Sequence, residues 1–305
     1  MKWLSLFDGI SCGRLAAERA GLEVTSYFAS EIDPWAIKVS NGNFKDITQL
    51  GDVNEVLKNP YIKFKPKIDI LIGGSPCQGF SFSGKQLNFD DPRSKLFFEY
   101  VKVLREVQPE YFLLENVNMR KEFQDIISEY LGVNPIKINS KLVSAQSRGR
   151  LYWTNIPVKG LPEDRNIYIK DILDEYYPEG RISNEEITRQ LRGFLSTSKY
   201  KDCFKWEFDT SGRILVMRPD GLKIQRIGRI GFGNHKTEIL TEGFGYPFVF
   251  DGMNIRPVTI SEAERLQTVP VGYTNVPGIT ESKRYSLLGN GWTVDVIAFI
   301  LSFLK

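Results

Sequence analysis

The chain has 305 residues, of which 42% are hydrophobic and 25% are charged, and its formal net charge is +3. This composition excludes an intrinsically disordered chain and leaves room for one large domain with a smaller one. No apolar run approaches the ~20 residues that cross a bilayer, and the first residues carry no signal-peptide pattern. The three cysteines, an odd number without framework spacing, fit a reducing compartment and predict a cytoplasmic protein.

Strand-like and helix-like stretches alternate in the N-terminal half of the chain. In order they are the strand Lys2–Phe7, a glycine turn, the helix Arg14–Ala20, the strand Thr25–Ser30, a helix opened by Pro34, the strand Asp69–Ile72, the helix Leu96–Val107 and the strand Tyr111–Leu114. This alternation predicts an α/β fold with a doubly wound, mostly parallel sheet and right-handed crossovers.

The periodicity and the mix of residue types change near residue 157 and again near residue 256. Between these points helical periodicity fades, and basic residues are interleaved with glycines and aromatics. Helical periodicity returns at Thr259–Gln267, and the chain ends in an apolar helix that follows Gly289. We therefore predict a ligand-binding domain over residues 1–156, a small domain of strands and loops over 157–255, and a return to the first domain over 256–305.

One cysteine stands at the end of a buried strand. The run Ile68–Ile72 is apolar and stops at the turn Gly74-Ser-Pro-Cys77. The carboxyl ends of strands are where open α/β sheets bind their ligands. Because the chain has no CxxC pair and a single histidine, neither a metal site nor a disulfide is predicted. Taken alone, Cys77 is either a small buried hydrophobe or a nucleophile.

The first glycine turn, Phe7–Gly13, follows the first strand and opens a helix. Its glycines allow the backbone to pass close to a ligand, but its spacing fits neither GxGxxG nor a P-loop. Glu31 ends the second strand, where the acids of dinucleotide folds accept hydrogen bonds from ribose. Asp52 could contact a purine amine, although either acid could instead cap a helix or lie in a solvated loop. The combination favours an adenosine-containing ligand that needs no pyrophosphate cradle.

Four short motifs follow one another along the chain. They are Gly74-Ser-Pro-Cys-Gln78, Glu115-Asn-Val117, Gln146-Ser-Arg-Gly-Arg150 and Gly289-Asn290. In kind and in order this set resembles the DNA (cytosine-5) methyltransferases, and the resemblance extends over nearly the whole chain. It implies a Rossmann-like fold of the methyltransferases that depend on S-adenosylmethionine, with residues 1–156 and 256–305 as the catalytic and cofactor-binding part and 157–255 as a target-recognition domain.

Different stretches resemble different branches of this family. The loop that contains Cys77, followed by Phe89–Arg93, is similar to the catalytic loop of bacterial restriction-modification enzymes. Ser5–Ile10 and Leu287–Val294 are more similar to the animal de novo methyltransferases. The bacterial pattern has an Asp where Ser5 stands, so contacts assigned to that Asp are not carried over.

The resemblance implies roles for four catalytic residues. Addition of a thiolate to C6 of cytosine makes C5 nucleophilic toward a methyl group, which divides one hard step into two. Cys77 would be the thiolate, and Glu115 would contact N3 and the exocyclic amine of the base. Arg150 and Arg148 would lie near O2 and the thiolate, where they hold developing charge.

The resemblance also implies S-adenosylmethionine as the methyl donor. Its adenine would lie near Phe7 and Asp52, its ribose on Glu31 and its methionine part near Asn290. The predicted cofactor-binding residues are Phe7, Gly9, Ile10, Ser11, Gly13, Glu31, Ile32, Asp52, Val53, Ser75, Pro76, Leu96, Asn290, Gly291 and Trp292. Trp292 could instead belong to the core, and Cys12 is predicted to be structural.

The predicted partner is double-stranded DNA, from which the target base is flipped because C6 cannot be reached inside the stack. Ser83 would enter the space left by the base. The other predicted DNA-binding residues are Lys85, Arg93, Arg226, Arg229, His235 and Lys236. We expect a monomer that binds no metal and no membrane. Two alternatives stay open, a tRNA cytosine-5 methyltransferase and an inactive DNA-binding regulatory relative.

Overall fold

In a computed structural model of the protein, a seven-stranded sheet forms the centre. The structure describes residues 1–63, 67–75, 95–175, 186, 189–190, 205–208, 213–217, 224–231, 248–251 and 253–304, and between 205 and 231 and at 248 and 250 it describes the backbone alone. The strands of the large sheet are β1 (Lys2–Leu6), β2 (Ser26–Ser30), β3 (Ile47–Gln49), β4 (Ile70–Gly73), β5 (Tyr111–Val117), β6 (Ile136–Asn139) and β7 (Gly149–Thr154).

The strand order is β3-β2-β1-β4-β5-β7-β6. Strands β1 to β5 pair in parallel, whereas β7 is antiparallel to both β5 and β6. Strand β1 lies between β2 and β4, so the order reverses there and the carboxyl ends of these strands form one crevice. The prediction of a doubly wound, mostly parallel sheet is confirmed.

Helices cover both faces of this sheet. They are α1 (Cys12–Arg19), α2 (Pro34–Asn43), α3 (Pro60–Lys63), α4 (Lys95–Val107), α5 (Lys121–Leu131), α6 (Ile169–Ile172), α7 (Ile260–Leu266), α8 (Glu281–Asn290) and α9 (Val294–Leu301), with 3-10 turns at Val53–Lys58, Ser140–Leu142 and Ser302–Leu304. As predicted, Pro34 opens a helix, and Asp33 caps it by accepting a hydrogen bond from the Trp35 N–H at 2.9 Å.

Alternate residues of the central strands belong to two different apolar cores. Trp3, Ile70 and Ile72 pack in the core that contains α1 and α9, while Leu4 and Leu71 pack in the core that contains α4. A strand with both faces buried reads as a continuous apolar run, which explains why β1 and β4 lack polar alternation. The two cores therefore hold the strand ends, and the groups attached to them, in fixed positions.

A second, five-stranded sheet contains β8 (Lys205–Phe208), β9 (Arg213–Met217), β10 (Ile224–Gly231), β11 (Phe248–Phe250) and β12 (Ile255–Pro257). The predicted boundaries at 156/157 and 255/256 stay predictions. The packing favours a first boundary nearer residue 174, because Ile169 and Ile172 belong to the core of the large sheet. Near the second boundary, Arg256 pairs with the buried Glu262 at 2.7 Å.

The expectation that no apolar run approaches membrane-spanning length is wrong for Glu281–Leu304, which is long and apolar enough to cross a membrane by length and composition. Half of its apolar 18-residue window is buried inside the protein, and the stretch consists of α8, a non-helical turn at 291–293, α9 and the 3-10 turn Ser302–Leu304. These features are those of a core element of the domain.

Candidate active site

The first glycine turn leaves β1 in an unusual backbone conformation. Phe7, Gly9 and Ser11 have φ angles of +57°, +58° and +60°, so alternate residues are left-handed. Such an alternation turns successive N–H groups toward one side and can form a concave binding surface. A side-chain carbon added at Gly9 would meet no atom within 4 Å, so this face of the turn is open.

Glu31 joins the first glycine turn to the end of β2. Its carboxylate accepts hydrogen bonds from the backbone N–H groups of Gly9, Ile32 and Asp33, each at 2.8 Å. Beside it, Ile32 leaves 71% of its surface exposed, although an isoleucine is usually buried. An acid with a fixed orientation and an exposed apolar side chain therefore stand together at the sheet edge.

Asp52 lies at the neighbouring strand end, where Ser30 Oγ donates a hydrogen bond to the Gly51 carbonyl at 2.7 Å. Asp52 Oδ1 accepts bonds from the N–H and the side-chain amide of Asn54, at 2.9 and 2.7 Å, and so caps the 3-10 turn. Asp52 is therefore a helix cap, which was one of the two alternatives to a ligand contact. The side chain is nevertheless exposed on the same edge as Glu31, and Val53 behind it is buried.

The structure gives Gly13 and Ile10 packing roles. A side-chain carbon at Gly13 would lie 2.2 Å from Ile72 Cδ1 and 3.0 Å from the Tyr27 hydroxyl, so α1 can approach the sheet only with glycine there. Ile10 is 1% exposed, and its carbonyl accepts a hydrogen bond from the Tyr273 hydroxyl at 2.7 Å. Cys12 is also buried, and burial raises the pKa of its thiol to about 12. The cofactor contacts predicted for Gly13 and Ile10 stay predictions.

Asp8 is a buried acid inside this turn that the sequence did not single out. Ser11 Oγ donates to one carboxylate oxygen at 2.5 Å and the Tyr27 hydroxyl to the other at 2.8 Å, and Ser5 also bonds to the group. Burial raises the pKa of Asp8 to about 6, because it outweighs these hydrogen bonds to the charged form. In the sequence, the only indication of a special role for Asp8 is its position between an apolar strand and two glycines.

We expect Asp8→Asn to change how stability depends on pH. Because the pKa of Asp8 rises from 3.8 to about 6 on folding, the stability that its protonation contributes is complete below about pH 4 and is lost as pH rises through about 6. Between pH 5 and 7.5 the wild type should lose about 1.4 kcal/mol of unfolding free energy relative to the Asn variant. Urea denaturation at both pH values measures this difference, and a difference between the two proteins that is independent of pH would contradict it.

Glu115 lies near the end of β5 with a donor on each carboxylate oxygen. Arg150 Nε is 3.0 Å from Oε1, and Trp292 Nε1 donates to Oε2 at 3.1 Å. Glu115 pairs in register with Tyr152 of the antiparallel β7, and Arg150 is two residues from Tyr152. Because side chains two residues apart share one face of a strand, the pairing of β5 with β7 brings Glu115 and Arg150 together.

The start of the cysteine loop, Gly74–Arg93, is attached to the same strand end. The Asn116 amide donates to the Ser75 carbonyl and hydroxyl at 3.4 and 3.3 Å. A side-chain carbon at Gly74 would stand 2.9 Å from Trp292 Nε1 and 3.1 Å from Glu115 Oε2. The backbone just before Cys77 therefore passes directly along the Glu115 carboxylate.

Arg148 is buried and turns toward the C-terminal return of the chain. Its guanidinium donates to the carbonyls of Gly289 and Gly291, both at 3.1 Å. Burial, reinforced by the charge of Arg150, lowers the pKa of Arg148. These contacts favour a positioning role that fixes the Gly289–Gly291 segment beside the site, and the catalytic role predicted for Arg148 stays a prediction.

Comparison with known proteins identifies the family to which this arrangement belongs. The family of C-5 cytosine-specific DNA methylases matches residues 1–305. The chain belongs to this family. It is 45% identical over 313 residues to the Type II methyltransferase M1.ScrFI of Lactococcus lactis subsp. cremoris, a match covering 97% of this chain and 76% of the relative. It is 35% identical over 344 residues to M.FnuDI of Fusobacterium nucleatum, covering 100% and 94%.

The fold of this methylase also matches that of solved methyltransferases. The structure of the Entamoeba histolytica methyltransferase EhMeth superposes with a TM-score of 0.69 at 20% identity, over 100% of this chain and 99% of that one. Several other bacterial and phage relatives match over only about half of their own length. The resemblance to the cytosine-5 methyltransferases is confirmed, and the protein is a DNA (cytosine-5) methyltransferase with the fold of the methyltransferases that use S-adenosylmethionine.

Several residues predicted for the methylase site are placed by the structure, but others are not. Leu96 is half-buried in the first turn of α4, and Asn290 is exposed at the end of α8. Arg226 and Arg229 lie on β10, for which the structure describes the backbone only. Pro76, Cys77, Ser83, Lys85, Arg93, His235 and Lys236 lie outside the described residues.

Proposed function

We propose that the methylase transfers a methyl group from S-adenosylmethionine to C5 of cytosine in double-stranded DNA, with Cys77 adding to C6 of a flipped-out base. The proposal rests mainly on one observation. The carboxylate of Glu115 is held between Arg150 and Trp292, and the backbone that leads to Cys77 passes along it at Gly74. An oriented acid and a cation therefore lie together at one strand end, beside the backbone that precedes the candidate nucleophile.

Each of these groups has a role in the reaction. C5 of cytosine is a weak nucleophile, so the Cys77 sulfur forms a bond to C6 and moves electron density to N3 and C5. Glu115 shares a proton at N3 as this charge develops, and Arg150 stabilises the charge around the ring. After methylation, a water molecule accepts the C5 proton, the C6–sulfur bond breaks to return the thiolate, and N3 gives its shared proton back to Glu115.

The residues at the ends of β1, β2 and β3 fit S-adenosylmethionine. The open face at Gly9 leaves room for a ligand against the backbone, and Glu31 and Asp52 offer carboxylate oxygens to hydroxyl and amine donors. The exposed Ile32 offers an apolar surface to the adenine ring. When bound there, S-adenosylmethionine supplies an electrophilic methyl group. Ser75 and Asn290 would hold the methionine end.

Duplex DNA would bind through the cysteine loop and the small sheet. Lys85 and Arg93 would meet phosphates, and Ser83 would fill the space of the flipped base. Arg226, Arg229, His235 and Lys236 would track a groove, since arginine is the usual reader of guanine. We propose a monomer in the cytoplasm that uses no metal. The Type II names of the relatives favour a restriction-modification role.

The proposal predicts a covalent complex with a defined attachment site. Duplex DNA that contains 5-fluorocytosine in the recognition sequence should form an adduct that survives denaturation and needs S-adenosylmethionine, because fluorine at C5 prevents the final elimination. Peptide mass spectrometry should place the attachment at Cys77. The recognition sequence comes from bisulfite sequencing of DNA from cells that express the protein.

Three results would contradict this proposal in different ways. Attachment at Cys203 in place of Cys77 would identify Cys203 as the nucleophile. Transfer of tritium to tRNA in preference to duplex DNA would change the substrate class. Binding of DNA without adduct or label transfer would leave an inactive DNA-binding relative.

A further inference from the structure

Trp292 contacts the catalytic carboxylate from a distant part of the chain. Its indole N–H donates to Glu115 Oε2 at 3.1 Å, across a separation of 177 residues. We propose that Trp292 is a positioning residue whose indole N–H fixes the orientation of the Glu115 carboxylate toward the base. This inference rests on the role proposed for Glu115.

The turn that carries Trp292 is held in place by buried polar groups. Arg148 binds the carbonyls on both sides of Asn290, and Gln267 Nε2 donates to the Leu288 carbonyl at 2.6 Å. The hydroxyl of Thr293 donates to Gln267 Oε1 at 3.0 Å. Because displacing the ring would break several buried hydrogen bonds, the indole is a rigid donor.

The space around the indole N–H is also fitted to this contact. With glycine at position 74, the backbone can lie against both Trp292 Nε1 and Glu115 Oε2, where any side-chain carbon would be within 2.9 and 3.1 Å. Arg150 occupies the other carboxylate oxygen. The two donors approach opposite oxygens, so together they determine the rotation of the carboxylate, which a single donor would leave free.

The test compares Trp292→Phe with Trp153→Phe. Phenylalanine keeps an aromatic ring but removes the N–H, and Trp153 is a matched control because its Nε1 donates to the neutral Ser128 hydroxyl at 2.9 Å. We expect Trp292→Phe to lower kcat for DNA methylation about tenfold, as loss of a hydrogen bond to a charged group does. Trp292 is also a predicted cofactor-binding residue, but phenylalanine keeps the aromatic ring that would line the cofactor site, so the Kd for S-adenosylmethionine should change by less than about twofold. Trp153→Phe should keep the wild-type kcat.

The outcomes separate this inference from the proposed function. Wild-type kcat in Trp292→Phe, or a loss confined to the Kd for S-adenosylmethionine, would overturn the positioning role. Glu115→Gln is measured alongside: if it is fully active, the proposed role of Glu115 itself fails. If Trp292→Phe does not fold, Gly74→Ala carries the test, because its methyl group pushes the pair apart. Wild-type kcat in Gly74→Ala would then refute the inference.

Discussion

Replacing Glu115 with glutamine should lower the rate of methyl transfer by about 10²–10⁴-fold, the range typical of a lost acid–base group. An amide has the same shape, but it cannot share a proton with N3 of the base in the same way. It also offers one acceptor where the carboxylate offers two, so either Arg150 or Trp292 loses its partner. Initial rates of tritium transfer to duplex DNA, at saturating cofactor and DNA, measure the effect.

Glu129→Gln is the matched control for this variant. Glu129 is exposed on α5, so the same chemical change there should leave the rate within about twofold of wild type. Near-ultraviolet circular dichroism establishes that both variants are folded. A Glu115→Gln rate within about tenfold of the wild type would remove Glu115 from the acid–base role.

The parts of the site that the sequence predicted are local. Glu115 follows a short apolar run, and such runs become buried parallel strands whose ends meet at one edge. Cys77 also follows such a run, but it lies outside the described residues, so its place in the site stays a prediction. The order of the motifs then identified the family. The acid at Glu31 was found in the same way, because it also follows directly from the end of a strand.

The parts that the sequence did not predict depend on contacts between distant residues. Nothing near Trp292 indicates that its N–H faces Glu115, since the pairing exists only after the C-terminal helices return to the sheet. Arg148 and Arg150 share one motif, yet Arg148 precedes β7 and binds the Gly289 carbonyl, whereas Arg150 lies within β7 and pairs with Glu115. At Gly13 the sequence predicted a ligand contact, which stays a prediction, but it did not predict the close approach of α1 to Ile72 that also requires glycine there.

A large loss of stability is also expected from a substitution where α7 and α8 meet, at Glu264, which belongs to none of the sequence motifs. Glu264 is fully buried and accepts hydrogen bonds from the N–H groups of Gly272 and Thr274, at 2.6 and 2.9 Å, and from the Thr274 hydroxyl at 2.6 Å. Arg284 on α8 pairs with the same carboxylate at 3.2 Å. This cluster determines how α8 approaches α7, and α8 leads directly to Asn290.

Glu264→Ala should lower the free energy of unfolding by about 3–5 kcal/mol, because it leaves the partly buried charge of Arg284 and the backbone N–H groups of Gly272 and Thr274 without this acceptor. Urea denaturation measures the loss, and Glu129→Ala on the surface should cost less than about 0.5 kcal/mol. Adding Arg284→Met to Glu264→Ala removes the unpaired charge as well. If the cost arises from that charge, the double variant should be more stable than Glu264→Ala alone, and equal stability would assign the loss to the backbone N–H groups. A loss below about 1 kcal/mol in Glu264→Ala would show that water reaches Arg284, and that the orientation of α8 does not depend on this pair.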